Sequence, residues 1–286
     1  MFIFSEMRKH VIPAAELVVL FGSSTAGKTF MAIDLAMAIA LGHDWRDQYI
    51  VKQGAVVYVA AEGASGVQDR LRAYCEHHQL DMTRVPLRVV RVAPNLLLRA
   101  EALELAKAIG PGIAMIVLDT FAQTMPGGNE NSAEDVGLAL AHCKGLRRAT
   151  GAVVLLVHHS GKDESKGARG WSGLRAAADA ELEVISDGER RLMRITKQKD
   201  GRDDLEFGFS LLSVGLELDE DGDMVESCVI DHTGLPPEKP AKPLRKGLAW
   251  ISMLGSRPNS APVFYADYAL MRSVWFCHQG ALGIRA

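Results

Sequence analysis

The chain has 286 residues, 48% hydrophobic and 23% charged, the balance of a globular protein and not of a disordered, collagenous or coiled-coil one. Its 32 basic and 35 acidic residues give a formal net charge of -3, so contact with nucleic acid must come from a local patch and not from overall charge. The longest apolar stretch, Phe30 to Leu41, is interrupted by Asp34 and falls short of a membrane span.

Met1 to Pro13 has neither an apolar core of signal-peptide length nor a small-residue cleavage site, so a cytoplasmic protein with no membrane partner is expected. Cys75, Cys143, Cys228 and Cys277 are scattered without metal-ligand spacing and read as reduced thiols. Leu17 to Phe21 is a short apolar run, read as a buried strand. A Gly/Ser loop follows, then a helix from Lys28 to Leu41 ended by Gly42. Ala55 to Ala60 reads as a strand, Val67 to His78 as a helix, Leu87 to Val92 as a strand and Glu101 to Ile109 as a helix. Ile113 to Leu118 and Ala152 to Val157 are apolar strands, with a helix at Ala133 to Thr150 between them. This alternation predicts an α/β domain whose mostly parallel sheet is flanked by helices.

After about residue 180 the pattern changes. Glu181 to Ile185, Leu192 to Thr196, Leu205 to Leu211 and Met224 to Ile230 read as short strands, an antiparallel extension at the sheet edge. Residues 1–235 are thus expected to form one domain, and 236–243, with four prolines, a stiff linker. Residues 244–286 hold one acid, Asp267, against five basic residues. This tail fits either a small partner-binding or nucleic-acid-binding appendage or a segment that did not evolve with the core.

Gly22-Ser23-Ser24-Thr25-Ala26-Gly27-Lys28-Thr29 matches GxxxxGK[ST] without gaps, between a predicted strand and a predicted helix. Glycines let successive backbone N–H groups point into one concavity, and the helix start adds positive potential. Lys28 supplies a charge for the β- and γ-phosphates of a nucleotide and Thr29 a hydroxyl for Mg²⁺. Asp119 ends the strand Ile113 to Leu118, where an acid meets the ligand crevice and suits the second half of a magnesium site. Glu62 follows Ala55 to Ala60 in the same manner and suits a general base, or else a solvated loop acid. His158-His159 ends the next strand, where His159 suits a sensor of the γ-phosphate, or a strand-end histidine bonded to backbone. The loop Ser160 to Gly173 is partly basic, and Lys162, Lys166, Arg169 and the aromatic Trp171 are its candidates for DNA contact. Lys197 and Lys199, in Thr196-Lys197-Gln198-Lys199, could reach an anion, a neighbouring subunit's nucleotide among them, or stand on a solvated hairpin tip.

In order and spacing these motifs resemble RecA-type P-loop ATPases of the AAA family, in particular the RepA-like hexameric replicative helicases of plasmids and phages. The resemblance spans residues 11–232. It rests on the P-loop, Tyr58-Val59-Ala60-Ala61-Glu62-Gly63, Val117-Leu118-Asp119-Thr120, Val157-His158-His159-Ser160-Gly161-Lys162, Ala168-Arg169-Gly170 and Lys197-Gln198-Lys199. It implies ATP and Mg²⁺ as cofactors, Lys28, Glu62, Asp119 and His159 as catalytic residues, and Gly22 to Thr29 as the nucleotide loop. It also implies Lys199 or Lys197, with Arg169 as competitor, as a finger reaching the adjacent subunit of a homo-oligomeric ring, a hexamer by analogy.

The expected function is an ATP-hydrolysing motor on single-stranded DNA, a replicative helicase of a phage or plasmid. The alternative is a non-translocating ATP-dependent switch or loader in recombination or replication. A small-molecule kinase would need a basic lid, and the sequence offers none. Three features depart from the family: Phe121 to Val136, which would line the channel, carries Glu130, Glu134 and Asp135 and no Lys or Arg, a poor composition for phosphate contact; Trp171 stands where a small residue is expected; and the tail after Pro236 has no counterpart.

Overall fold

The computed structural model describes residues 2–6, 9–13, 17–161, 170–188, 190–199 and 201–233. Contacts divide the chain after Glu238. The linker and tail expected at 236–243 and 244–286 lie outside the described residues, as do Lys162, Lys166 and Arg169.

The strands are β1 (Phe2–Glu6), β2 (Lys9–Pro13), β3 (Leu17–Gly22), β4 (Ile50–Val51), β5 (Ala55–Ala60), β6 (Leu87–Val90), β7 (Ile113–Asp119), β8 (Val153–His159), β9 (Ala180–Ser186), β10 (Arg191–Gln198), β11 (Glu206–Leu218) and β12 (Met224–Asp231). The α-helices are α1 (Lys28–Leu41), α2 (Ala64–His77), α3 (Arg99–Ile109), α4 (Ala133–Thr150) and α5 (Gly173–Ala177). A nine-stranded sheet runs in the order β12-β11-β10-β9-β3-β8-β7-β5-β6. From β9 to β6 neighbouring strands pair parallel; β10, β11 and β12 add on antiparallel. The expected edge extension is therefore present, with one refinement: β9 pairs parallel with β3, so the antiparallel part begins at β10.

Alternation along the central strands explains the layering. Val18 and Leu20 of β3, Val56 and Tyr58 of β5, and Val153 and Leu155 of β8 face one core with α1 and α2. Leu17, Val19 and Phe21, with Val57, Val59, Val154 and Leu156, face the other core with α3 and α4. Strands covered on both faces have apolar residues at every position, which is why β3 and β8 read as continuous runs. Helix α1 is buried almost all round because it packs on the sheet beneath α2 and the β11–β12 hairpin; only one charge in its interior, Asp34, goes into the core with it.

Three short strands have no periodic signature in the sequence. β1 and β2 pair antiparallel, and β4 joins them in a separate three-stranded sheet. Among the described residues no helix is long and apolar enough to cross a membrane.

Candidate functional site

The P-loop connects β3 to α1, and its glycines are required by geometry. A Cβ on Gly22 would collide with the carbonyl oxygen of Val184, so only glycine lets β3 lie this close to β9 at its end. Gly27 has φ 105°, and Thr25 is also left-handed at φ 65°. This alternation curls the loop over the N-terminus of α1, whose first N–H groups have no intrahelical acceptor.

Lys28 is buried. Its Nζ donates to the carbonyls of Gly22 at 3.1 Å and Ser23 at 2.7 Å and lies 3.3 Å from His159 Nδ1. Burial lowers the Lys28 pKa, while Asp119 and Glu62 pull it back up. The ammonium is thus held by its own loop at the mouth of a cavity of about 560 Å³, lined by Ser24, Lys28, Thr29, Glu62, Arg70 and Asp119 among others.

Asp119 is 3% exposed at the end of β7. Burial raises its pKa, opposed by hydrogen bonds from Tyr58 and Thr29 and by the charges of Arg70 and Lys28. The Tyr58 hydroxyl donates to Asp119 Oδ2 at 2.6 Å. Register places Ala60 of β5 opposite Asp119 of β7, and the backbone N–H groups of Ala61 and Glu62 both donate to the Asp119 carbonyl, at 2.7 and 3.1 Å. Glu62 is thereby fixed beside Asp119 although the two are far apart in sequence. Its carboxylate Oε2 accepts from the Thr120 hydroxyl at 3.1 Å.

These residues fit a nucleotide and its magnesium ion. The loop amides, helix N-terminus and Lys28 match a phosphate chain. Thr29 and Asp119, already bonded to one another, are hard oxygen donors, the kind Mg²⁺ takes. Among the described residues no cluster of three or more His, Cys, Asp or Glu is placed to hold a metal ion unaided. That suits an ion that arrives with the nucleotide and keeps phosphate and water ligands.

The sequence reading of Lys28, Thr29, Glu62, Asp119 and His159 thus converges on one cavity. It missed three contributors. Tyr58 and Thr120 orient the two acids. Arg70, on α2, lines the same cavity; its guanidinium carbon stands 5.0 Å over the Phe30 ring and its Nη1 lies back over Gly66. Arg70 follows Gly66 by one helical turn on the cavity face, a spacing that could have flagged it.

Lys197 and Lys199 are elsewhere. They lie where β10 ends beside the start of β9: Lys197 Nζ donates to the carbonyls of Arg175 and Ala178, and Lys199 Nζ pairs with Asp179 Oδ1 at 2.5 Å. Asp179 also accepts from the N–H of Leu17, the first residue of β3. The five steps from Leu17 to Gly22 rise about 3.3 Å each, so the lysines stand roughly 17 Å along the sheet from their own P-loop. Trp171, the stacking candidate, is half-buried against the α3–α4 core, and its backbone N–H donates to the Glu130 carbonyl at 2.9 Å. Gly170 is left-handed at φ 96°, and a Cβ there would collide with the Glu130 carbonyl oxygen, so the loops after β7 and β8 cross closely. Glu130 is also 3.8 Å from His158.

Comparison with known proteins agrees with this arrangement. The model of an AAA domain family matches residues 6–165. The chain belongs to that family. Among solved structures it is similar to the RadB recombinase, with a TM-score of 0.54 over 70% of this chain and 88% of that one, at 14% identity. That likeness establishes the RecA-like fold. No curated protein matches significantly. The protein is a RecA-like P-loop ATPase by family, loop geometry and fold.

Proposed function

We propose that this AAA-domain ATPase is a ring-forming motor that hydrolyses ATP and moves on single-stranded DNA, in the manner of a replicative helicase. Lys28 and the loop amides would hold the phosphates, and Thr29 and Asp119 would hold Mg²⁺, which would supply neutralisation of phosphate charge. Glu62, steadied by Thr120, takes a proton from the attacking water. His159, in contact with Lys28, reads whether a γ-phosphate is present and passes that state along the loop after β8.

The observation that carries the ring reading is the position of Lys197 and Lys199. They lie far along the sheet from their own nucleotide cavity, where β9 and β10 meet, so any phosphate they engage belongs to a neighbour; bonded as they are to Arg175, Ala178 and Asp179, they otherwise serve only their own chain. Engaging it exchanges the Arg175 and Ala178 carbonyls and the Asp179 carboxylate for phosphate oxygens, with a contribution of about 10³-fold in rate if it follows arginine fingers. Lysine lacks the bidentate fork, so the effect is expected at the lower end.

The test mixes two inactive proteins, Lys28→Ala and Lys197→Ala/Lys199→Ala. Each mixed interface of one orientation joins an intact P-loop to intact lysines, so ATPase activity is expected to return on mixing. Mixed oligomers seen by native mass spectrometry without recovered turnover would remove the shared site. The second reading, a non-translocating switch, then takes over. It is favoured by the acidic loop Phe121 to Val136 and its closed crossing with Trp171, which offer little to a DNA backbone. Unwinding of a forked duplex separates the two readings.

A further inference from the structure

Gly27 ends the P-loop and caps the start of α1, and the space beside it is filled from β10. A Cβ on Gly27 would stand 3.2 Å from Arg191 Cδ, 3.4 Å from a ring carbon of Phe209 and 3.5 Å from Arg191 Nε. Arg191 is the first residue of β10, and Phe209 lies opposite it on β11. β9 separates β10 from β3, so the two strands are about 10 Å apart at the usual spacing. The contact is made by a long side chain leaning over the end of β9. Phe209 is fully buried and Arg191 half-buried, so the arginine stem forms a wedge between the core and the loop. It bears on the residue whose φ of 105° turns the loop into the helix.

The charge on this wedge is placed against the helix. α1 begins with no acidic residue in its first turn and no side-chain cap on Gly27, so its N-terminus presents uncompensated positive potential. Lys28 adds an ammonium there, and Arg191 brings a guanidinium beside the same turn. A cation next to a helix N-terminus opposes the dipole and costs stability while the loop is empty. An anion seated on the loop amides reverses the sign of that interaction. The two flanks of the loop also differ. Asp119 and Glu62, the acids that act on Lys28, come with His159 from β7, β5 and β8, on one side of β3. Arg191 comes from the other side, across β9.

We propose that Arg191 is a positioning residue of the ATPase site, acting through Gly27 on nucleotide bound in its own subunit. Its stem holds the left-handed turn that aims the loop amides, and its charge strengthens the hold of the loop on the phosphate chain. Arg191 stands on the flank away from Glu62 and Asp119, so it serves the phosphates that ADP and ATP share and not the transfer of the γ-phosphate. The inference rests on the P-loop as the nucleotide site; it does not depend on a ring or on DNA.

The experiment titrates the whole chain with ADP and with a non-hydrolysable ATP analogue by calorimetry, beside steady-state ATPase and a nucleotide-free thermal melt. Arg191→Met keeps an unbranched stem over Gly27 and removes the charge. It is expected to weaken both nucleotides by about 5-fold or more, the scale of one charge at a partly buried helix N-terminus. KM for ATP is expected to rise by a similar factor with kcat within about 2-fold, because the lost interaction is equal in ground and transition states. The nucleotide-free melt is expected not to fall, since a cation beside the start of α1 has been removed. Arg191→Lys is expected to recover at least half of the lost affinity in free energy, because a charge acting through the loop needs no forked geometry. Lys28→Ala is the control for the nucleotide site. Binding lost in Lys28→Ala but parental in Arg191→Met overturns the inference and leaves the P-loop reading standing. Binding retained in both removes the nucleotide site, and the inference with it. A lowered nucleotide-free melt in Arg191→Met, or a lysine no better than the methionine, assigns Arg191 to the fold alone and overturns the proposal. A fall in kcat at unchanged KM does so too, by placing the charge in γ-phosphate transfer.

Discussion

Thr120 donates to Glu62 Oε2 at 3.1 Å, and the two N–H groups flanking the β5 end hold the Glu62 backbone on the Asp119 carbonyl. A carboxylate on an exposed loop is thereby given one position, the condition for a base that must meet a water in line with the γ-phosphate. Glu62→Gln keeps the size and the acceptor for Thr120 but cannot take a proton. ATP is expected to bind as before, while hydrolysis falls about 10²-fold or more in single-turnover assays. A rate near that of the parent would place the base elsewhere. Lys28 acts differently: its ammonium is buried, loop-bonded and aimed at the phosphate site. Lys28→Ala is expected to weaken nucleotide binding and abolish turnover together, and retained affinity for a fluorescent ATP analogue would remove Lys28 from the phosphate contacts. Arg70 projects into the same cavity from α2, seated on Phe30. Arg70→Ala is expected to weaken nucleotide binding by about 10-fold, the loss of one charge-assisted pair. Arg70→Lys should restore less than half of that in free energy, because a lysine cannot keep both the ring contact and a forked phosphate contact.

Elements whose ends are set locally are the most legible in the sequence. Helices α1 and α4 are readable to the residue, because Gly42 and Gly151 take left-handed conformations at their C-caps and Ser132 accepts from the Asp135 N–H at the start of α4. β3, β5, β7 and β8 are legible from unbroken apolar runs. β1, β2 and β4 are not, because short strands bounded by charged residues carry no periodicity. The site divides in the same way. Gly22 to Thr29 is a local motif, whereas Tyr58 and Thr120 matter only because the β5–β7 register brings Ala60 opposite Asp119, a fact no window of sequence contains. The end of α2 adds a pH response. Burial first, then the neighbouring His77, holds the His78 imidazole on the cap of α2 below its ordinary range in the folded chain. Between that lowered value and 6.5 the unfolded chain binds more protons than the native one, so stability is full above this window and is lost as pH falls through it. The melting temperature is expected to drop between about pH 7.5 and about pH 5.5, and to drop less in His78→Gln. Parallel pH curves for the two proteins would show that the imidazole is not a source of acid lability.

For the molecule as a whole, the question is how much chain the ATPase requires. Both hydrophobic cores are composed of residues from Leu17 to Ile230, and contacts divide the chain after Glu238. The divide coincides with the proline-rich segment 236–243, and residues 244–286 shift to a basic composition with one acid among 43 positions. Two cores built from residues between Leu17 and Ile230 are expected to fold without residues 239–286, because burial of apolar area is the dominant stabilising term. A chain ending at Glu238 is therefore expected to be soluble, to melt in one cooperative transition and to hydrolyse ATP within about twofold of the full chain, a difference below about 0.5 kcal/mol in barrier. The measurement is ATPase turnover beside a thermal melt followed by circular dichroism. Insolubility, a broadened melt or lost turnover would show that residues 239–286 complete the core or the nucleotide site. Retained ATPase with lost unwinding of a forked duplex would instead assign those residues to the DNA step, since a basic segment can add phosphate contacts that the acidic loop after β7 cannot.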